Sequence, residues 1–425
     1  MNQVVPQRGE QIQPAVFLNL FFVRRIVNHH QDSDPSKRKR RRPDLSRVNA
    51  ESYKKGNTAQ KASVDSKHLS EPDNQPEKNL LSRGFDQIIS GGLSLFIAIT
   101  VISLGWFSQS GVGSFLYVIE VYLLTDLLIN GPHFMASYRL LYSRRENFRK
   151  HPGVTIIFPF AAIIFLSYII YSSYRSEAFD PLGIMGILTV IAPILLGWHY
   201  VGQSWGATAC FAFLSGFRIA PRERTLIRGG ILTLFIYHIA WFYNDSGFIQ
   251  TQLYENEAGT YLMLSVMSLC RLLVGVGFIA GLFGFWQLAR ESGRSIPMRI
   301  WLPWVATFSW YVMVDLQPAS VFLLQIFHAF QYLMFPLRVE LNDYTPKRNG
   351  LRHLVLYYLL LVIFGFLAFD WHTFDAVPKQ LIPAGTATLM IINLHHYFID
   401  AVIWKIRKPE VRESLFGHLK PGTSG

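Results

Sequence analysis

Long apolar runs separated by short polar loops dominate the chain from residue 86 onward. Most runs approach the roughly 20 apolar residues that a helix needs to cross a membrane, and they lack the strict alternation of a membrane β-barrel. Apart from closed barrels, only helices pair all their backbone N–H and C=O groups within lipid. The pattern predicts an all-α, polytopic integral membrane bundle of about ten spans, at 87–107, 114–136, 154–173, 182–205, 229–246, 259–287, 300–315, 319–337, 353–370 and 382–404.

The first 85 residues differ in composition from the rest of the chain. They are polar and rich in Lys, Ser and Pro, and their one apolar segment, at 14–27, is too short to cross a bilayer. Such a sequence cannot bury enough apolar surface to fold. We therefore expect a disordered basic cytoplasmic tail at 1–85, a transmembrane helical domain at 86–408 and a short cytoplasmic tail at 409–425.

Basic residues alternate between the two sets of loops that these spans define. The N-terminal tail, every second loop and the C-terminal tail carry most of the Lys and Arg, whereas the intervening loops are poor in them or acidic. Because Lys and Arg accumulate on the cytoplasmic side, both termini are predicted to be cytoplasmic. We expect the protein to lie in a bacterial inner (plasma) membrane.

The composition agrees with a membrane protein. The chain is 50% hydrophobic and 16% charged, whereas soluble domains are about 25% charged. The net charge of +12 lies mostly in the tail and short loops, which suits an anionic lipid surface better than a folded nucleic-acid-binding face. We therefore expect membrane lipids, and no nucleic acid, as partners. Cys210 and Cys270 lie in apolar runs and predict neither a disulfide nor a metal-binding pair.

Six histidines lie inside predicted spans, where an ionisable side chain is costly and marks a functional site by default. Five of them belong to four spans that run from outside to cytoplasm: His133, His199, His328, His395 and His396. Counting forward to the next basic residue places three of these positions about 9–15 Å inside the cytoplasmic boundary. His199 reaches that depth only if its helix bends near Gly202 or Gly206.

Polar residues accompany these histidines at about one helical turn on the same face, and in the case of Asp126 at two turns before His133. These neighbours are Asp126 and Asn130, Gln203, Gln331 and Tyr332, and Asn393 and Asp400. A metal-bound imidazole commonly needs its second nitrogen held by a carboxylate, amide or carbonyl. We therefore expect four of the neighbours to orient ligands or move protons: Asp126, Gln203, Gln331 and Asp400. A polar stripe along a water-filled path would have the same spacing.

Histidines with carboxylate and amide neighbours favour iron, with zinc or copper as alternatives. The candidate ligands are His133, His199, His328, His395 and His396. Adjacent helical positions point about 100° apart, so only one of the last two should reach a given metal. His238, Asn130 and Tyr332 are further candidates for the site. Arg271, in the middle of a span, needs a counter-charge such as Asp126 or Glu120.

The histidine segments PHF, WHY, FHAFQ and LHHY resemble those of histidine-rich polytopic membrane non-haem iron oxygenases, such as the bacterial β-carotene 15,15′-dioxygenase type. The resemblance covers only these four segments. It implies a non-haem iron held by histidines from several membrane helices, acting with dioxygen on a membrane-dissolved isoprenoid. The HxxxH and HxxHH motifs of membrane fatty-acid desaturases are absent from the sequence.

The leading hypothesis is an integral-membrane, metal-dependent oxidoreductase that acts on a lipid or isoprenoid, with iron as cofactor and an electron donor as partner. A transporter or proton-coupled carrier is the first alternative, with Arg271 and Asp126 facing a midplane cavity. A lipid acyl or head-group transferase with His328 as general base is the second. A haem protein with paired histidines is the third.

Overall fold

The computed structural model describes residues 78–105, 122–175, 181–245, 257–343, 349–371, 377–406 and 408–419, and contains helices and no strand within those ranges. The helices are α1 (Arg83–Leu104), α2 (Gly131–Tyr142), α3 (Arg145–Lys150), α4 (Gly153–Arg175), α5 (Pro181–Leu214), α6 (Pro221–Asp245), α7 (Glu257–Ser292), α8 (Met298–Leu316), α9 (Phe322–Asp343), α10 (Gly350–Phe369), α11 (Ile382–Ile403) and α12 (Pro409–Phe416). The tail predicted at 1–85 lies outside the described residues up to position 77.

Seven described helices are long and apolar enough to cross a membrane: α1, α4, α6, α7, α9, α10 and α11. They coincide with seven of the predicted spans. The other three predicted spans fall on α2 with the helical residues 122–130 before it, on α5 and on α8, and residues 114–121 of the first lie outside the described residues. The all-helical class is confirmed, and the seven candidate spans indicate an integral membrane protein. The count of ten spans and the cytoplasmic position of the termini remain predictions.

The exposure of apolar side chains distinguishes outer helices from an inner one. Only 11% of the apolar window of α4 is buried, against 67% for α9. Phe160 and Ile163 of α4 and Ile363 of α10 are exposed, as expected for faces that contact lipid tails. Because α9 lies in the interior, His328 is surrounded by other helices and does not face the lipid.

Both ends of the described chain pack beyond the predicted domain boundaries. Leu80 is fully buried, and the backbone N–H groups of Leu80 and Leu81 donate to the Asp86 carboxylate at 2.7 and 2.9 Å. Arg299 donates to the Asn79 side chain at 2.7 Å. At the other end, α12 buries part of its surface. The packed region therefore extends past 86–408 on both sides.

Helix α5 is not interrupted at Gly202 or Gly206, where a bend was expected. It stays helical through Gly202 and Gly206 and continues to residue 214. Its 34 residues correspond to about 51 Å, well beyond the thickness of a hydrocarbon core. The helix ends before Gly216, which has a φ of 71°. His199 thus has many residues before the next basic residue because α5 is long.

Helices α6 and α7 approach closely through glycines. A Cβ at Gly277 would overlap Thr233 Oγ1 and come within 2.7 Å of the Gly230 carbonyl oxygen. Small residues of this kind let membrane helices bring their backbones together. The Gly277 position therefore has no room for a side chain.

We expect Gly277→Ala to destabilise the fold by about 1–3 kcal/mol, because the added methyl forces α6 and α7 apart. Thermal unfolding in detergent measures the change. Gly275→Ala on the same helix is the matched control, since a Cβ there meets nothing within 4 Å. Equal melting temperatures for the two variants would show that this packing contributes little.

Candidate metal centre

Four buried histidines from four helices meet in the interior of the bundle: His133 (α2), His199 (α5), His328 (α9) and His396 (α11). One ligand atom from each lies within 4.8 Å of those of the other three. None of the four side chains is more than 8% exposed. The structure brings together four of the five positions that the sequence analysis named as candidate ligands.

Three imidazole nitrogens converge on each other. His199 Nε2 lies 3.0 Å from His328 Nε2 and 3.2 Å from His396 Nε2. Two nitrogens bound at about 2.0–2.1 Å to one metal stand about 2.9 Å apart at a right angle and about 3.3 Å apart at a tetrahedral angle. A neutral imidazole has a single N–H, so His199 Nε2 cannot donate to both neighbours. The observed separations therefore fit a shared cation better than mutual hydrogen bonds.

His133 completes the group from the side of α2. Its ring centroid lies 4.4 Å from that of His396 and 4.9 Å from that of His328. Both of its ring nitrogens are buried and have no hydrogen-bond partner among the described residues. A buried polar atom without a partner costs about 1–3 kcal/mol. A cation among the four rings would satisfy one of these nitrogens.

Asp400 adds a carboxylate to the histidines. Its Oδ2 lies 3.5 Å from His396 Nε2 and 3.7 Å from His199 Nε2. Its Oδ1 accepts hydrogen bonds from Ser137 Oγ at 2.9 Å and from the Tyr332 hydroxyl at 3.1 Å. Because two hydroxyls fix one oxygen, the other is held toward the imidazole nitrogens. It is placed to act as a fifth ligand or as a proton acceptor.

The Tyr332 hydroxyl connects this carboxylate to a tryptophan. It accepts a hydrogen bond from Trp404 Nε1 at 2.8 Å and lies 2.5 Å from Ser137 Oγ. The Tyr332 ring also packs edge-on against His133, with 4.4 Å between centroids. Ser137 and Trp404 were not among the predicted site residues. Both lie four residues after a named candidate, so the same one-turn spacing would have found them.

Gln203 and Gln331 make contacts other than those expected. Gln203 Nε2 donates to the His328 backbone carbonyl at 2.9 Å and to Gln331 Oε1 at 3.3 Å. Gln331 Nε2 donates to the carbonyl of Ser90 on α1. The Nδ1 atoms of His328 and His396 have no partner among the described residues. The amides bridge helices through main-chain carbonyls instead of orienting imidazoles.

Asp126 and Asn130 belong to a separate polar cluster. Asn130 Nδ2 donates to Asp126 Oδ1 at 2.7 Å, and Gln325 Nε2 donates to Asn130 Oδ1 at 3.2 Å. Neither residue bonds to His133, whose nitrogens have no partner in the described part of the chain. The expected role of Asp126 beside His133 is therefore not seen in the hydrogen bonds.

His395 and His238 lie outside the histidine group. The Nδ1 of His395 is 2.9 Å from the Tyr138 hydroxyl, and its Nε2 is 2.7 Å from the Val154 carbonyl oxygen. Both of its nitrogens are thus occupied, and His396 is the member of the adjacent pair that reaches the group. His238 Nδ1 bonds to the Tyr311 hydroxyl at 2.9 Å.

The counter-charge of Arg271 is Asp315. The expected partners were Asp126 or Glu120. Arg271 Nε and Nη2 each lie 2.9 Å from an oxygen of Asp315, and the Tyr237 hydroxyl donates to the same carboxylate at 2.6 Å. Asp315 is the last residue of the span predicted at 300–315 and was not among the expected partners; α8 continues to Leu316 and places Asp315 beside α7. Glu120 lies outside the described residues.

Comparisons with protein-family models, curated proteins and solved structures gave no match for this chain. The function is therefore inferred from the geometry of the site.

Proposed function

We propose that this protein is an integral-membrane metalloenzyme, an iron-dependent oxidoreductase that acts on a lipid or isoprenoid. The observation that carries the proposal is the convergence of four buried imidazoles from four helices, together with the Asp400 carboxylate one turn after His396 on α11. Burying unpaired imidazole nitrogens and a carboxylate costs free energy, and a cation among them would offset that cost.

The donor set limits the metal. Imidazole nitrogens suit iron, zinc and copper, whereas calcium and magnesium prefer oxygen ligands. His133, His199, His328, His396 and Asp400 would hold the ion. Iron, when bound by such a set, supplies redox chemistry with dioxygen. A metal with fewer than six protein ligands keeps a position for a small co-reactant.

The surrounding side chains make the site suitable for an apolar substrate. Phe134 packs on the His396 ring with 4.6 Å between centroids, and Tyr397 lies against His199 at 4.8 Å. These rings exclude water from the histidines. Asp400 Oδ2 is a carboxylate oxygen beside the group, so it would hold or release a proton there. Substrate would arrive through the membrane, where lipids and isoprenoids dissolve.

The alternatives fit the geometry less well. Two axial histidines of a haem face each other across a flat ring, whereas here His199 Nε2 lies 3.0 Å from His328 Nε2 and 3.2 Å from His396 Nε2, which leaves no plane for the ring between them. A general base at His328 would have its Nε2 turned to solvent or substrate, and here it faces His199. The carrier hypothesis used an ion pair of Arg271 with Asp126, and Arg271 is bound to Asp315 instead.

The first experiment is elemental analysis of the detergent-purified protein, together with an optical spectrum. We expect near-stoichiometric iron without the Soret band of a haem. Oxygen uptake with a membrane lipid extract and a reductant should disappear after chelation and return with Fe²⁺ but not with Zn²⁺. Metal without oxygen uptake would limit the proposal to a metal site, and protein without metal would contradict it.

A further inference from the structure

Six exposed arginines form an arginine patch at one end of helices α6 and α7. Four lie just before α6 or within its first turns, and two lie at the end of α7 or just after it: Arg218, Arg222, Arg224, Arg228, Arg290 and Arg294. The two helices are antiparallel neighbours here, since a Cβ at Gly284 of α7 would lie 2.9 Å from the Leu226 Cβ of α6. Arg294 reaches the segment before α6, where its guanidinium lies 5.0 Å over the Phe217 ring.

The arginine patch is not neutralised by carboxylates of the protein. None of its six members forms an ion pair with another described residue. Of the two carboxylates in the same stretches of sequence, Glu223 is buried and Glu291 is exposed, and neither is paired with an arginine. Arg144, by contrast, is paired with Asp343 at 2.7 Å. Because like charges repel one another, the arginine patch is suited to an anionic partner.

Aromatic side chains beside the arginine patch place it at the surface of the membrane. Phe283 and Trp286 of α7 stack with 5.3 Å between ring centroids and are 44% and 52% exposed. The Arg290 guanidinium lies 5.4 Å over the Trp286 ring, one turn nearer the end of the helix. Helix α7 is a candidate span, and Trp is enriched where a span meets the lipid headgroups. The guanidinium groups therefore lie at the depth of the headgroups.

The type of basic residue indicates which anion fits. The stretches 215–230 and 287–299 contain arginines and no lysine. A guanidinium binds a phosphate through two parallel N–H donors, whereas the lysine ammonium acts as a point charge. We propose that the arginine patch binds the phosphate group of an anionic phospholipid, whose acyl chains lie along the exposed apolar face of α7. This site shares no residue with the histidine group and is independent of any metal.

Native mass spectrometry of the full-length protein tests this site. The protein in a non-ionic detergent is titrated with dioleoyl phosphatidylglycerol and, separately, with dioleoyl phosphatidylcholine, which has the same acyl chains and no net charge. Each basic residue near an anionic lipid contributes about fivefold in affinity, so two contacts with one phosphate predict a preference of about 25-fold for phosphatidylglycerol. Inorganic phosphate should not displace the lipid, because it lacks the acyl chains that contact α7.

Four variants separate a phosphate site from general attraction of charge. Arg290→Gln and Arg294→Gln should each weaken phosphatidylglycerol binding about fivefold and leave phosphatidylcholine binding unchanged. Arg294→Lys keeps the charge but loses the paired N–H donors, so its affinity should lie between those of the wild type and Arg294→Gln. Lys150→Gln is the matched control and should leave the affinity unchanged, because Lys150 already pairs with Glu146 at 2.8 Å and Glu410 at 3.2 Å.

Equal affinities for the two lipids, or equal effects of Arg294→Gln and Lys150→Gln, would overturn the proposal. Displacement of phosphatidylglycerol by inorganic phosphate alone would assign the arginine patch to a soluble phosphate compound. Displacement by a short single-stranded DNA would assign it to nucleic acid, and either result would contradict a lipid site. The arginine variants should fold normally, because the exposed groups that they remove form no ion pair with a described residue. Metal content is measured on the same samples, so that a missing metal site and a missing lipid site are distinguished.

Discussion

His328→Ala and His396→Ala each lower metal affinity by at least about 100-fold, whereas His395→Ala leaves it unchanged. Changes to the groups that merely support a ligand typically cost 10–100-fold in affinity, so removal of a ligand should cost more. His396 and His395 are adjacent on α11, yet only His396 contributes to the histidine group. Titration with Fe²⁺ and Zn²⁺, followed by elemental analysis, measures the difference.

The neighbouring histidine makes this comparison specific. His395 is as close in sequence as a control can be, but its two nitrogens bond to Tyr138 and Val154. His238→Ala is a second control, because His238 is buried and bonds to Tyr311 outside the group. Equal metal loss in all four variants would indicate a general loss of fold, and full metal content in the His328 and His396 variants would refute the site.

The helical fold could be predicted from the sequence because the thickness of the bilayer fixes the length of each span. Seven predicted spans coincide with helices that are long and apolar enough to cross a membrane. The predicted depth of the histidines followed from the same constraint, since each residue along a helix advances about 1.5 Å. Depth alone was enough to group His133, His328 and His396, which the structure brings together.

The rotation of each helix about its own axis could not be predicted in the same way. A step of one residue turns the side chain by about 100°, and which face points inward depends on packing against other helices. At α11, Phe158 stacks on His395 with 4.5 Å between centroids, and this contact keeps His395 away from the group. The choice between His395 and His396 is a tertiary property.

Side-chain contacts between different helices could not be predicted from the sequence either. The one-turn rule finds neighbours on one face, but it does not say which atom of another helix they contact. Gln203 was expected to hold an imidazole and instead bonds to a main-chain carbonyl. Asp315, the last residue of the predicted span 300–315, was not among the expected counter-charges, yet it pairs with Arg271 on another helix.

Asp400→Asn lowers metal affinity about 10–100-fold while keeping the size of the side chain. The asparagine oxygen would still accept from Ser137 and Tyr332, but an amide N–H₂ would replace the carboxylate oxygen that lies 3.5 Å from His396 Nε2. A cation beside these nitrogens loses a negative partner and gains a repulsive dipole. Metal titrations of the wild type and the variant measure the change.

A purely structural role for Asp400 would give a different result. If the carboxylate only joins α11 to α2 and α9, Asp400→Asn should lower the melting temperature of the metal-free protein and leave the metal Kd unchanged. If it faces the ion, the stabilisation added by saturating metal should shrink by about 1.4–2.7 kcal/mol, the equivalent of a 10–100-fold loss of affinity. Ser137→Ala is the matched control, because it removes one of two hydroxyls on Oδ1 and leaves the charge in place. A smaller loss in Ser137→Ala than in Asp400→Asn therefore assigns the effect to the carboxylate oxygen beside the histidines.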